Sequence, residues 1–203
     1  EPSATVPRDI SSREVDPEPL TVEEVFPTEE IVINPAEPPY VLLTTDETDD
    51  CGDAAADDLA DLLNELGCDQ VVRATLRSPT DGYLVTTGVV NLESQAGAEQ
   101  AYHDIMPLIE DGTGRFQGLL AGEGTEPIVL SETVLFWDYR CHFLMYAVIA
   151  RADGEAFSAT DNQHADLISW DLIEVHLRSQ VLEARATQPN PDLTEQGGPS
   201  PTE

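Results

Sequence analysis

The residues of this chain best suited to chemistry are a run of carboxylates, four histidines and three cysteines. The carboxylates crowd residues 45–53, and the oxygen atoms of Asp and Glu are the ligands that Ca²⁺ prefers. An EF-hand loop starting at Asp46 would have Cys51 where the loop needs glycine and Asp57 where it needs a bidentate glutamate. Because that pattern fails, we predict no metal site and no cofactor. A Ca²⁺-dependent surface module remains an alternative.

Histidine is the other residue type that could carry catalysis, at positions 103, 142, 164 and 176. Cys141 and His142 are adjacent, but a strand would point their side chains to opposite faces, which does not suit a pair of metal ligands. No Gly-x-Ser-x-Gly, Ser-x-x-Lys or catalytic-cysteine motif places a nucleophile beside a base. We therefore predict no catalytic residues, and a small hydrolase-type enzyme that uses a histidine remains an alternative.

The cysteines could form one disulfide and leave one free thiol. Cys51 and Cys68 bracket a predicted helix whose ends, if it is straight, lie on the order of 20 Å apart. A bridge needs Cα atoms within about 7 Å, so this pairing requires the flanks to fold back over a shorter helix. The alternative is a bridge from one of them to Cys141. We favour Cys51–Cys68, because Cys141 falls in a predicted turn where any small residue would serve.

The overall charge excludes one large class of partner. Forty Asp and Glu residues stand against nine arginines, with no lysine, for a formal net charge of −31. Such a chain repels nucleic acid and anionic membrane surfaces, because every phosphate contact needs a cation on the protein. No apolar run is long enough to cross a bilayer. The chain begins with Glu1 instead of methionine, so we expect any membrane anchor or signal in a segment upstream of residue 1.

Composition divides the chain into three parts. Residues 1–39 are rich in Pro and Glu and are predicted to be a disordered acidic linker, since they offer little apolar surface to bury. Residues 188–203 are predicted to be a disordered C-terminal tail. Between them, residues 40–187 are predicted to fold as one domain.

Periodicity within residues 40–187 predicts the order α-β-β-α-β-β-β-α. The first helix covers 53–66, and strands at 71–77 and 83–92 form a hairpin. A helix follows at 94–110, then strands at 115–121, 128–138 and 142–151, and a last helix at 162–186. We therefore predict an α+β fold with a single antiparallel sheet of about five strands and helices packed on one face.

The last helix carries two apolar stripes at helical spacing. Leu167, Trp170, Ile173, Leu177 and Val181 form the stripe expected to pack on the sheet. The second stripe consists of Ile168, Leu172, Val175 and Leu182. A helix needs only one stripe to dock on its own core, so the second is covered either by another part of the chain or by a second protein. We assign the second stripe as the first candidate partner-binding surface, with a homodimer as one possibility.

The turn of the strongest predicted hairpin is the second candidate binding surface. Trp137, Tyr139, Arg140 and His142 lie there, and exposed aromatic residues beside arginine are typical anchors of protein interfaces. The competing interpretation is that Trp137 and Tyr139 belong partly to the core.

Four stretches carry a resemblance to a known family: Cys68–Leu76, Tyr83–Val89, Gly114–Gly118 and Val148–Gly154. Through them, residues 51–187 resemble a family of actinobacterial membrane-anchored proteins of unknown function. The resemblance implies an extracytoplasmic domain that follows a membrane segment and an acidic linker, and it implies no catalytic residues. We therefore expect a non-enzymatic, sensor-like interaction domain at the cell surface that binds a protein partner or self-associates.

Overall fold

The computed structural model describes residues 7–79 and 82–188. Most of the described chain is helix or strand. The two long helical stretches, 95–110 and 159–187, each follow a strand in the sequence. In chain order the elements are α1 (Val22–Val25), β1 (Glu30–Ile31), β2 (Tyr40–Thr48), a 3₁₀ turn (Cys51–Asp53), β3 (Ala55–Asp57), α2 (Asp58–Glu65), β4 (Gln70–Arg77), β5 (Tyr83–Asn91), α3 (Gln95–Glu110), β6 (Gly114–Phe116), α4 (Pro127–Leu130), β7 (Thr133–Arg140), β8 (Phe143–Arg151), α5 (Ala159–Ser169), a π-helix (Trp170–Leu182) and α6 (Glu183–Thr187).

The main sheet is antiparallel throughout, which confirms the predicted α+β class. It has six strands in the order β1-β2-β4-β5-β8-β7, and a second, two-stranded sheet pairs β3 with β6. Helices cover both faces of the main sheet, where the sequence predicted one. The reason lies in the central strands, since neighbouring residues such as Leu84 and Val85 in β5 are both buried, on opposite faces.

Two separate hydrophobic cores result, one on each face. The front core lies beneath the N-terminal segment (residues 7–39) and the C-terminal helix (159–187, comprising α5, the π-helix and α6). The back core lies beneath α2, α3 and α4 and the small sheet of β3 and β6. Strand β8 contributes to both, with Met145 and Ile149 on the front and Leu144 and Val148 on the back.

The N-terminal segment is not the disordered linker that its composition predicted. Ile10, Leu20, Val25, Phe26 and Ile31 are buried in the front core, and the segment adds the edge strand β1 to the sheet. Average composition hides this, because isolated apolar residues separated by prolines can each fill a site prepared by the rest of the fold. Residues 1–6 and the predicted tail from Pro189 onward lie outside the described residues.

The disulfide joins Cys51 to Cys68, as predicted, with Cα atoms 6.4 Å apart. The helix between them is shorter than its apolar pattern indicated, because residues 51–57 form the 3₁₀ turn and β3 instead. A positive φ of 57° at Asp57 turns the chain there, and α2 then runs for only eight residues. Cys141 keeps a free thiol in the β7–β8 turn.

The C-terminal helix changes its winding partway along. Ser158 and Asp161 form a capping box that starts α5. From Trp170 to Leu182 the helix is a π-helix, whose i→i+5 hydrogen bonds give each turn roughly four to five residues. Across the described residues, no helix is both long enough and apolar enough to cross a membrane.

Candidate functional site

The second stripe of the C-terminal helix lies inside the chain's own front core, which corrects its assignment as a partner-binding surface. Ile168, Leu172 and Leu182 are buried, and Val175 is half-buried. In the π-helix the inward positions recur every four or five residues, so one buried face takes residues from both predicted stripes. That face comprises Ile168, Leu172, Ile173, Leu177, Val181 and Leu182.

Two members of the first stripe are displaced by the same change in winding. Leu167 and Trp170 were expected on the sheet, but each is 60% exposed. They are three residues apart, at the end of α5 and the start of the π-helix, so their side chains are neighbours on the helix surface. The apolar pattern of the sequence did not predict this exposed pair. The only signal for it would have been apolar residues that recur at the wider spacing of a π-helix, every four or five residues.

The predicted hairpin residues are divided between surface and interior. Trp137, Tyr139 and Arg140 are half-buried on β7, and the Trp137 indole N–H donates to the Tyr102 carbonyl at 3.0 Å. Arg140 donates to the Arg178 carbonyl and pairs with Glu183. His142 is fully buried, because the N-terminal segment covers the turn. His142 is therefore removed from the candidate binding surface, and the other three remain.

His142 belongs to a buried polar cluster, which we call the clasp: Arg8, Asp16, His142 and Arg185. The Asp16 carboxylate accepts from His142 Nε2 at 2.9 Å, from Arg185 Nε at 3.0 Å and from Arg8. His142 Nδ1 faces the Leu92 carbonyl at 2.8 Å, so both ring nitrogens must carry protons for both bonds to form. Burial opposes ionisation of Asp16, but hydrogen bonds from His142 and Arg185 outweigh it and keep its pKa below the ordinary value.

The charged groups of the clasp bind one another and their neighbours in the chain. Its carboxylate is saturated by its partners, and Arg185 also grips the Glu24 carboxylate through two bonds of 2.8 Å. Its members come from the N-terminal segment, the β7–β8 turn and α6. The clasp therefore ties the N-terminal segment to the core.

The acidic run at residues 45–53 is also engaged within the fold. Asp46 pairs with Arg73 at 2.9 Å, Asp53 accepts from the Thr48 hydroxyl at 2.7 Å, and Asp50 caps the 3₁₀ turn. Among the residues that the structure describes, no three His, Cys, Asp or Glu side chains are grouped as metal ligands.

An open groove lies on the other side of the front layer, where β2, the β4–β5 hairpin and α5 meet. Two adjoining cavities form it, with volumes of about 370 Å³ and 390 Å³. Tyr83 and His164 line both cavities and form the boundary between them. The smaller cavity, the polar end of the groove, holds the charged side chains of Arg151, Asp153 and Asp161. The larger is lined mainly by apolar groups, among them Pro38, Pro79 and Leu167.

The polar end of the groove is organised by the start of α5. Asp161 uses Oδ2 to cap the helix at Ser158 and to pair with Arg151 at 3.0 Å. Its Oδ1 accepts from the Tyr83 hydroxyl at 2.5 Å. Since that hydroxyl has a single proton, His164 Nδ1, 2.9 Å away, donates to the Tyr83 oxygen. In the neutral ring, this tautomer has its hydrogen-bond acceptor at His164 Nε2.

The pKa values at this end follow from the hydrogen bonds. The Tyr83 hydroxyl, followed by the Ser158 backbone and hydroxyl, holds the pKa of Asp161 well below its ordinary value of 3.8. Burial and the bond to Asp161 raise the pKa of Tyr83 to about 12. At neutral pH the pair is therefore an ionised carboxylate and a neutral phenol, neither of which is poised to exchange a proton.

The apolar end holds a second tyrosine–carboxylate pair. The Tyr40 hydroxyl donates to Asp171 Oδ2 at 2.7 Å. Burial raises the pKa of Asp171, and burial together with this bond raises the pKa of Tyr40. Glu37 lines the same cavity, so two carboxylates face it. The groove can therefore receive an apolar group with a hydrogen-bond donor or cation beside it.

Comparison with known proteins gives no further indication of what the groove binds. No protein-family model, curated protein or solved structure matches the chain.

Proposed function

We propose that this chain is a non-enzymatic, extracytoplasmic binding domain of a membrane-tethered protein. The groove of Tyr40, Tyr83, His164 and Asp171 binds a segment of a protein partner, and that segment carries an apolar side chain next to a lysine or arginine.

The observation that carries the proposal is the exposed pair Leu167 and Trp170 beside the apolar cavity. Leu167 lines the cavity, and Trp170 lies one turn further along the same helix. Exposed apolar side chains that adjoin a cavity are typical of binding surfaces, and tryptophan is enriched among the residues that contribute most to binding.

The charge around the groove indicates which type of residue lies beside the partner's apolar side chain. Glu37 and Asp171 face the apolar cavity, while the groove's arginine, Arg151, is already paired with Asp153 and Asp161. The net charge of the chain is −31, which attracts a cationic partner over long range and repels an anionic one. A partner segment with a basic residue beside an apolar side chain places the apolar group in the cavity and the positive charge near Glu37 and Asp171.

The proposed location has independent support. The disulfide between Cys51 and Cys68 fits an oxidising compartment, where such bonds persist. The tether upstream of residue 1 is proposed from the sequence resemblance to membrane-anchored actinobacterial proteins alone.

A random-peptide display library tests the proposal. Wild-type protein is used for selection, and Leu167→Ser/Trp170→Ser protein is used for counter-selection. We expect enriched peptides that place Leu, Ile, Phe or Trp next to Lys or Arg and that bind the double variant at least about tenfold more weakly, a difference of about 1.4 kcal/mol. Enrichment of acidic peptides, or equal binding to both proteins, would contradict the proposal.

Leu130→Ser is the matched control. Leu130 is 80% exposed but lies on α4 in the back layer, so its loss removes exposed apolar surface without touching the groove. We expect peptide affinity to stay at the wild-type value in this variant. In a Trp137→Phe background, Trp170 is the sole tryptophan, and its emission should shift when a selected peptide binds.

A further inference from the structure

The main sheet has one long strand at its edge. Strand β7 ends the strand order among the described residues, whereas the opposite edge is the two-residue β1. All eight residues of β7 are half-buried. Exposed edges of this length are templates for another strand, and natural proteins usually shorten, cover or pair them.

The β7–β8 register shows which backbone groups point outward. Arg140 and Phe143 are partners across a two-residue turn, so they form the hydrogen-bonded pair that closes the hairpin. The alternation then directs the N–H and C=O groups of 134, 136, 138 and 140 toward β8. The His142 carbonyl, just before β8, follows the same alternation. It points away from β7 toward the end of β5, where it accepts from Leu92 N at 3.1 Å. The groups of Thr133, Leu135, Trp137 and Tyr139 therefore point away from the sheet, and the Tyr139 N–H among them donates to Asp138 Oδ1 at 2.8 Å.

We propose that β7 pairs with β7 of a second copy of this chain, joining two sheets into one continuous antiparallel sheet. This interface is separate from the groove and does not depend on the proposed function. Antiparallel pairing of a strand with itself is twofold symmetric, so the contact closes as a dimer and covers the long edge of both copies.

Hydrogen-bond geometry and charge select one register. In an antiparallel pair, outward-pointing residues lie opposite outward-pointing residues, so the strand can shift only in steps of two. Pairing centred on Phe136 puts Leu135 opposite Trp137 and Glu132 opposite Arg140, each contact occurring twice. These are aliphatic–aromatic and opposite-charge pairs, the kinds that stabilise neighbouring strands.

The neighbouring registers lack this complementarity. Pairing centred on Leu135 puts Asp138 opposite Glu132, which brings two like charges together. Pairing centred on Trp137 puts Arg140 opposite Val134 and Glu132 opposite the buried His142. Only the register centred on Phe136 brings Glu132 of one copy beside Arg140 of the other, where it adds a second carboxylate to the Glu183 that Arg140 pairs with in its own copy. This charge complementarity argues for a second copy as the occupant of this edge.

The surroundings of β7 favour the same occupant. Tyr102 on α3 is exposed and accepts the Trp137 indole N–H through its carbonyl, and its ring lies 5.6 Å from that of Tyr139 in a tilted arrangement. Met106, one turn further along α3, is also exposed. They extend the apolar strip on the back side of the strand. The high net charge of each copy opposes association over long range, and dissolved salt screens that repulsion. The dimer should therefore become tighter as ionic strength rises.

Sedimentation or light scattering on the full chain, over a range of concentrations at low and high salt, tests the proposal. We expect a concentration-dependent rise from the monomer mass to twice that mass. Leu135→Pro removes an outward N–H but leaves the bonds to β8, and it should weaken the dimer at least about tenfold. Leu135→Ala, which keeps the N–H, is the control, and melting curves verify that both variants fold. A wild-type monomer at every concentration overturns the proposal, as does a dimer that Leu135→Pro leaves unchanged.

A charge swap tests the register. Glu132→Arg places like charges opposite each other and should weaken the dimer, and adding Arg140→Glu should restore it. A double variant no tighter than Glu132→Arg alone would overturn the Phe136-centred register.

Discussion

The clasp and the groove are built from the same residue types and have opposite properties. Both combine aspartate, arginine and histidine, and both lie on the front layer of one sheet. In the clasp, Asp16 and His142 are sealed from solvent and every partner comes from the chain. In the groove, Asp161 and His164 line an open cavity and adjoin exposed apolar side chains. Exposure decides that the first cluster holds the fold together and the second can bind a partner.

The largest expected difference between the two regions follows from removing each aspartate. Asp16→Asn removes the buried negative charge that Arg8, His142 and Arg185 share, and leaves the two arginines only their outer partners, Glu18 and Glu24. Breaking a buried ion pair costs about 3–5 kcal/mol. Asp161→Asn, the matched control, should cost much less, because its charged partner Arg151 stays in contact with water. Denaturant unfolding of both variants measures the difference. Equal losses would mean that the clasp is no more structural than the groove.

The histidines give a second, smaller contrast. In His142→Gln, either the buried Asp16 carboxylate or the buried Leu92 carbonyl loses its hydrogen-bond donor. An unsatisfied buried group costs about 1–3 kcal/mol. His164→Gln should change the free energy of unfolding by no more than about 0.5 kcal/mol, as for most surface substitutions. In the peptide-binding assay the order should reverse, with His164→Gln affecting affinity and His142→Gln affecting only stability.

The smallest expected effect is a pH dependence specific to the groove. The hydroxyl of Tyr83 lowers the pKa of Asp161 in the folded state below its ordinary value of 3.8. A lowered carboxyl pKa adds stability above that value, and the gain is lost as pH falls through the folded-state pKa. The stability difference between wild type and Tyr83→Phe should therefore shrink in acid.

NMR titration of the Asp161 side chain, alongside unfolding curves at several pH values, measures this effect. In Tyr83→Phe the pKa of Asp161 should move up toward its ordinary value. Tyr40→Phe is the control, because the Tyr40 hydroxyl bonds to Asp171 and not to Asp161. A stability difference that stays constant from neutral to acid pH would mean that Tyr83 does not stabilise the ionised carboxylate.

Much of the fold could be predicted from local pattern. Alternating and continuous apolar runs located β4, β5 and β8, and the helix predicted at 94–110 corresponds to α3. The disulfide was also correct, since the flanks do fold back over a shortened α2. The strands and α3 depend on interactions between residues near each other in the chain. The disulfide depends on a single contact between two cysteines, which the shortened α2 permits.

The groove could not be predicted in the same way. The helical wheel of the last helix assumed an α-helical period, and the π-helix replaced it, burying Leu172 and Leu182 and exposing Leu167 and Trp170. Tyr83 and His164 are far apart in sequence and meet only because α5 crosses the β4–β5 hairpin. Side chains brought together by packing carry no spacing signal.

The sequence by itself determined the charge, the class of fold and the central strands, and it favoured the cysteine pair that the structure then showed. Composition and short-range periodicity are local properties, so they can be read without coordinates. Only the tertiary structure decided that residues 7–39 join the domain, that His142 is sealed while His164 is open, and that β7 ends the sheet. Each of those depends on which surfaces the rest of the chain covers, and burial is a property of the whole fold.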